Sequence, residues 1–200
     1  MKLRKNLINF IITIILFNFI ALKSYSLEPK QFVQDVVDEA SSILSKTSNK
    51  EEKIKKLKNL AKKTADIRGI GYYSLGSHRK SLSDIKKKEY LEVFEGYFLK
   101  SFSSRLAEYT DPKITVDSQK KLNDKYTMVS SILLATNDKP EVKINWRIIT
   151  KNPDKPLIID VVIEGVSLAK VQKEEFNSII QSNDGSIEAL LKNLKEFVNN

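Results

Sequence analysis

"IIDVVIEGVSLAKVQKEEF", residues 158–176, begins as a strand and ends as a helix, and its reading decides the fold. Alternation along the strand places Ile158 and Val162 on one face and Ile159, Val161 and Ile163 on the other. A sheet with a polar back needs apolar residues on one face only. Both faces of this strand therefore call for a cover, either protein or something the protein carries.

Working back along the chain, 113–118, 125–136 and 141–150 also read as strands, and 156–164 is the fourth. With "NDKP" (137–140) and "NPDK" (152–155) as hairpin turns, the last three strands take a definite register. Leu133, Ile144 and Ile163 then share one row, Ser131, Trp146 and Val161 the next, and Val129, Ile148 and Ile159 a third. On the opposite face Lys143 meets Glu164 and Arg147 meets Asp160. Such pairs contribute only about 0.2–1 kcal/mol each. Their use is in fixing register, because a one-residue slip turns every side chain to the wrong face. One sheet face is thus strongly apolar and centred on Trp146, and the other is mixed.

Helical spacing surrounds this sheet. Pro29 suits a first helical turn, and Phe32, Val33, Val36, Val37, Ala40, Ile43 and Leu44 recur at helical intervals to about Ser45. A second helix starts at Ser48 or Asn49 and carries Ile54, Leu57, Leu60 and Ala61 on a narrow apolar face. "DIRGIGYYSLGSHRK" (66–80), with glycines at 69, 71 and 76, reads as a broken or short-helical connection. The longest helical pattern follows, capped by Ser83, with Tyr90, Leu91, Phe94, Tyr97, Phe98, Phe102 and Leu106 in one stripe. That stripe is either an ordinary core face or the wall of an apolar cavity. Two more helices, separated near Asn183-Asp184-Gly185, close the chain. The fold class is α+β, with N- and C-terminal helices packing on a curved antiparallel sheet.

The length of 200 residues, 41% hydrophobic and 30% charged, suits one globular domain. Residues 1–26 differ in kind: Lys2, Arg4 and Lys5 precede an apolar run from Leu7 to Leu22, then Lys23 and Ser24-Tyr25-Ser26. This pattern reads as a secretory signal peptide cleaved after Ser26. The rival is a retained anchor, but the run falls short of the roughly 20 residues a bilayer core requires. No cysteine follows it, which excludes a lipidated N-terminus. Cleavage would remove four basic residues and leave 30 basic against 25 acidic, so much of the formal charge of +9 belongs to the leader. The remaining lysines lie on solvated helix faces rather than in an aromatic-basic patch, which speaks against nucleic acid. With no cysteine anywhere, the fold has no disulfides to rely on.

Catalytic constellations are missing. His78 is the one histidine, and no G-x-S-x-G accompanies it. No metal-loop spacing of carboxylates occurs, and "GIGYYSLG" lacks the spacing and the lysine of a phosphate loop. Asp160 and Glu164 could act as acid or base, yet each has a use as a partner of Arg147 and Lys143. The sequence predicts neither an enzyme nor a metal or cofactor site.

Three segments carry a family resemblance: 66–102, "VKINWRI" (142–148) and 158–197. They resemble the MlaC, or toluene-tolerance, family of periplasmic phospholipid-binding proteins. The most specific pieces are D-V-x-I-E-G-V-S-L (Asp160 to Leu168) and the D-I…Y-x-L-G segment (Asp66 to Gly76). Two positions depart from the usual pattern: His78 and Leu157 stand where the family often has aromatics. The resemblance implies an NTF2-like α+β domain over 27–200, with an apolar pocket between sheet and helices holding phospholipid acyl chains. It implies a monomer shuttling lipid across the periplasm between an outer-membrane lipoprotein complex and an inner-membrane ABC transporter, maintaining outer-membrane lipid asymmetry. The bound lipid would be cargo, not a cofactor. The expected lining is Phe94, Phe98, Phe102, Leu133, Ile144, Trp146, Ile148, Ile159, Val161 and Ile163. The alternatives are a carrier of another apolar lipid such as a hopanoid, an NTF2-like enzyme using Asp160 or Glu164, and a structural adaptor with a filled core.

Overall fold

The computed structural model of the chain describes residues 27–136, 140–152 and 154–200. The expected signal peptide, with its cleavage site, lies outside the described residues, as do Asn137, Asp138, Lys139 and Pro153 of the two expected turns. Helix α1 (Pro29–Lys46) starts on its proline, and α2 (Lys50–Thr64) on Asn49, whose side chain accepts from the Glu52 N–H. The glycine-rich connection is a short helix, α3 (Ile67–Ser74), capped by Asp66, followed by a 3-10 turn at Gly76–Lys80. Helix α4 (Asp84–Leu106) starts at Ser83. Helices α5 (Leu168–Gln181) and α6 (Ile187–Asn199) start at Ser167 and Ser186. Each capping oxygen takes up one N–H that the helix itself leaves without a partner.

Between α4 and α5 run β1 (Ile114–Asn123), β2 (Tyr126–Leu133), β3 (Val142–Ile149), β4 (Leu157–Ile163) and the short β5 (Val166–Ser167). They form one antiparallel sheet in chain order. Bulges interrupt the β1–β2 and β3–β4 ladders and add local twist. Among the described residues no helix is long and apolar enough to cross a membrane.

The expected rows hold only in part. Across β3 and β4, Ile144 faces Ile163, Trp146 faces Val161 and Arg147 faces Asp160, as the charge pairing predicts. One step further the ladder bulges, and Ile148 faces Ile158 instead of Ile159. The β2–β3 register differs by two residues: Leu133 faces Val142, Ser131 faces Ile144 and Val129 faces Trp146. A two-residue slip keeps every side chain on its face, so hydrophobic alternation cannot tell the two registers apart. The observed one brings Ser130 opposite Asn145, with Oγ donating to Oδ1 at 2.7 Å. Glu164 also differs from expectation. Its carboxylate accepts from the Lys143 backbone N–H rather than from the ammonium.

Buried apolar residues form three clusters. The first half of α1 (Phe32, Val33, Val36, Val37) lies on Val116, Val129, Ile148 and Ile158 of the sheet. The second half (Ile43, Leu44) leaves the sheet for Leu57 and Leu60 of α2 and Ala107 at the end of α4. The third cluster joins α3, α4, α5 and α6 around Tyr90, Phe94, Phe176 and Leu191. There α3 and α4 come so close that a Cβ on Gly71 would stand 2.8 Å from the Phe94 ring. Domains usually bury one contiguous core. Here the buried residues divide into three clusters.

Candidate binding site between the sheet and the helices

The inner sheet face is the one α1 covers. Register places Leu133, Val142, Ile144, Trp146, Ile148, Ile158, Val161 and Ile163 on it. Helix α1 seals Ile148 and Ile158 and reaches only the flanks of Trp146 and Val161. Beyond them Leu133, Val142 and Ile163 are half-buried, and none belongs to the cluster under α1. The Trp146 indole N–H donates to Ser131 Oγ at 2.8 Å, which fixes the ring on this face. Ser131 Oγ in turn reaches the Ile144 carbonyl at 3.3 Å. These bonds occupy the polar groups of this stretch, so it presents apolar atoms.

The helical wall comes from α4. Its stripe starts inside the third cluster, where Phe94 stacks obliquely on Tyr90 and meets Phe176 edge-on. It ends at Leu106, which packs toward the α1–α2 cluster. Phe98 and Phe102 lie between, half-buried, their rings nearly parallel at 6.0 Å. Residues four apart share a helix face, so both lie on the side of α4 that carries Phe94 and Leu106. The helices that pack broadly against α4 are α2, α3 and α6, and no strand is among its broad neighbours. Phe98 also packs against the third cluster, while Phe102 belongs to none of the three.

The ten expected lining residues are not all brought together. Leu133, Trp146, Val161 and Ile163 are half-buried on the inner sheet face with Ile144 buried among them, and Phe98 and Phe102 are half-buried on α4. Phe94 is sealed in the helical core and Ile148 beneath α1. Ile159 is a correction: the bulge turns it to the outer face. There it lines an open groove of about 360 Å³ with Tyr126, Arg147, Ile149 and Tyr73. Val142 was missed although its alternation with Ile144 could have found it. That Ile158 would share the inner face with Ile148, sealed under α1, was not expected, because nothing in the local pattern announces a bulge.

Polar chemistry near the site is committed elsewhere. Asp160 is buried on the outer face and accepts from Arg147 Nη1 (3.2 Å), Ser167 Oγ (2.7 Å) and the Ala169 N–H (3.0 Å). Burial pushes the Tyr90 and Tyr97 phenols above their ordinary values. Both stay neutral donors, to the Gly71 carbonyl and to Gln172 Oε1, each at 3.0 Å. Among the described residues no buried side-chain nitrogen or oxygen lacks a partner, and no group of acidic or histidine side chains could hold a metal ion. The buried polar side chains are thus paired with one another or with the backbone, and the inner sheet face presents apolar side chains.

A model of the MlaC protein family matches residues 30–196. No curated protein matches the chain. Among solved structures, the chain is similar to a phospholipid-binding protein from Ralstonia solanacearum, determined in complex with a phospholipid. The TM-score is 0.70 at 18% identity, over 85% of this chain and 96% of that one.

Proposed function

Since the chain belongs to the MlaC family, we propose that it is a periplasmic phospholipid carrier holding acyl chains between its inner sheet face and α4. The observation that carries this reading is the apolar inner sheet face, of which α1 seals only Ile148 and Ile158 and leaves Leu133, Val142, Trp146, Val161 and Ile163 half-buried. The phospholipid bound to the similar Ralstonia protein supports it. In the same reading residues 1–26 are a cleaved signal peptide. The carrier serves an outer-membrane lipoprotein complex and an inner-membrane ABC transporter, and so maintains outer-membrane lipid asymmetry.

The physics favours such a carrier. Exposing one methylene to water costs about 0.8 kcal/mol, so a diacyl lipid with roughly 28 of them faces a cost on the order of 20 kcal/mol. Unaided movement between membranes is then negligible. A carrier needs only an apolar space about as good as a bilayer, and exchange remains reversible. No catalytic group is required, in keeping with an Asp160 whose oxygens already take three donors.

The test is native mass spectrometry of protein purified from the cell envelope, followed by organic extraction. A diacyl phospholipid at fixed stoichiometry is the expected result. A clean apo mass, with no uptake from phospholipid vesicles, would overturn the reading. An extracted polycyclic lipid would replace phospholipid by a hopanoid-type cargo.

A further inference from the structure

The groove that Ile159 lines lies across the sheet from the inner face. Arg147 and Ile149 alternate with Trp146 and Ile148 along β3, so the sheet itself separates the two places. The groove runs between the outer face and α3, and its volume of about 360 Å³ is that of a small-molecule site. Ile70, Ile149 and Ile159 give it apolar lining, and Tyr73 and Tyr126 add two phenol rings. Lys173 Nζ stands 5.4 Å from the centroid of the Tyr73 ring, a contact that steadies this exposed side chain.

Three charged side chains line the same groove: Asp66, Arg147 and Asp160. Asp160 is spent on its three donors. Arg147 commits only Nη1, and among the described residues its other N–H groups have no protein partner. A guanidinium carries five such donors in a fixed fork that suits an oxyanion. The Asp66 carboxylate is divided in the same way. Its Oδ1 accepts from the Gly69 N–H at 2.9 Å, and Oδ2 has no partner among the described residues. A Cβ on Gly69 would collide with that Oδ2, so the glycine is what leaves the carboxylate its place. A simple anion in the groove would gain Arg147 but meet Asp66, and a simple cation the reverse. A molecule that carries both charges satisfies both.

We propose that this groove binds a zwitterionic amphiphile, its phosphate or carboxylate on the open nitrogens of Arg147, its ammonium at Asp66 Oδ2 and its apolar part against Ile70, Ile149 and Ile159. The proposal is independent of the carrier reading, which places acyl chains on the other sheet face. Phosphoethanolamine has the required pair of charges, either free in solution or as the head of a single-chain lysophospholipid. The apolar lining favours the lipid.

The test is calorimetric titration of the full chain with lysophosphatidylethanolamine below its micelle concentration. Lysophosphatidylglycerol, which lacks the ammonium, monoacylglycerol, which lacks both charges, and free phosphoethanolamine are titrated beside it. The variants are Asp66→Asn, which removes the charge and keeps a capping oxygen, and Arg147→Ala. Losing one charge-assisted hydrogen bond at a half-exposed site weakens binding by about tenfold. Lysophosphatidylethanolamine is therefore expected to bind the wild-type chain at least that much more tightly than the other two lipids. Asp66→Asn should erase its advantage over lysophosphatidylglycerol, and Arg147→Ala should weaken both. Nitrogen-edited NMR should show the Arg147 Nε–H and the Gly69 N–H shifting on titration. Free phosphoethanolamine binding as tightly as the lysolipid would keep the zwitterion site and exclude a membrane source. Equal affinity of the wild-type chain for all three lipids would overturn the proposal, as would binding that leaves the Arg147 and Gly69 signals in place. The wild-type titrations decide the matter even if a variant fails to fold, and diacyl lipid extracted with the protein tests the inner face separately.

Discussion

Arg147 and Asp160 face each other across β3 and β4, Nη1 to Oδ2 at 3.2 Å, and the ladder bulges at the very next pair. The carboxylate is 2% exposed and also holds Ser167 and the Ala169 N–H, so it ties β4 to the first turn of α5. Asp160→Ala would leave that helix start and a guanidinium without their partner. It is expected to cost about 3 kcal/mol, the lower end for a broken buried pair because Arg147 is 38% exposed. Arg147→Ala leaves Asp160 two donors and should cost roughly 1 kcal/mol. Urea denaturation of both variants decides the matter. Equal losses would mean that the ion pair, not the helix anchor, is what Asp160 contributes.

Phe94 and Phe102 lie two turns apart on one helix face, yet they should respond in opposite ways. Phe94 is sealed in the helical core, so Phe94→Ala is expected to cost about 3–5 kcal/mol in lipid-stripped protein. Phe102 is half-buried and in no cluster. Phe102→Ala should change stripped-protein stability by less than about 1 kcal/mol while reducing the lipid retained through purification. Thermal melts with and without lipid, paired with extraction, separate the two effects, since bound ligand stabilises only the folded state. Full retention by Phe102→Ala would overturn the proposed contribution of α4 to lipid binding.

The order of the helices and of the first four strands, and the Trp146 face, were legible in the sequence because period-2 and period-3.6 patterns, Ser and Asn caps and the Arg147–Asp160 pairing all agree. The two-residue β5 was too short to show a pattern. What escaped was anything that leaves periodicity intact. The two-residue slip of β2 against β3 preserves faces, and Ser130–Asn145 is too weak a signal to foresee. The bulge that turns Ile159 outward has no sequence mark of its own. Phe94 and Phe102 look identical on a helical stripe, and the position of α5 beside Phe94 distinguishes the sealed ring from the half-buried one.

Gly71 and Gly96 give a prediction of opposite sign. A Cβ on Gly71 would meet the buried Phe94 ring at 2.8 Å, and the ring has no room to give. Overpacking of this kind costs about 1–3 kcal/mol, more than the roughly 1 kcal/mol that alanine gains over glycine in a helix. Gly71→Ala should lower the melting temperature. At Gly96 the nearest atom is a Val198 methyl at 3.5 Å, an ordinary contact, so Gly96→Ala should raise it. A stabilised Gly71→Ala would contradict the tight α3–α4 crossing.

Acid sensitivity should come in part from Glu89. Its carboxylate accepts from Lys86 Nζ at 2.7 Å and from Lys195 Nζ at 2.9 Å, joining α4 to α6. Those two hydrogen bonds hold its pKa at about 2 against an ordinary 4.5. A carboxyl depressed in the folded state binds fewer protons there than in the unfolded chain. Its contribution is complete above about pH 4.5 and is lost progressively as pH falls toward 2. The melting-temperature difference between wild type and Glu89→Gln should therefore stay constant from pH 7 to 5 and shrink below 4.5. Because the bridge is reached by solvent, salt should reduce the difference at every pH. A difference that instead grew on acidification would place the depressed group elsewhere and leave Glu89 a minor link between α4 and α6.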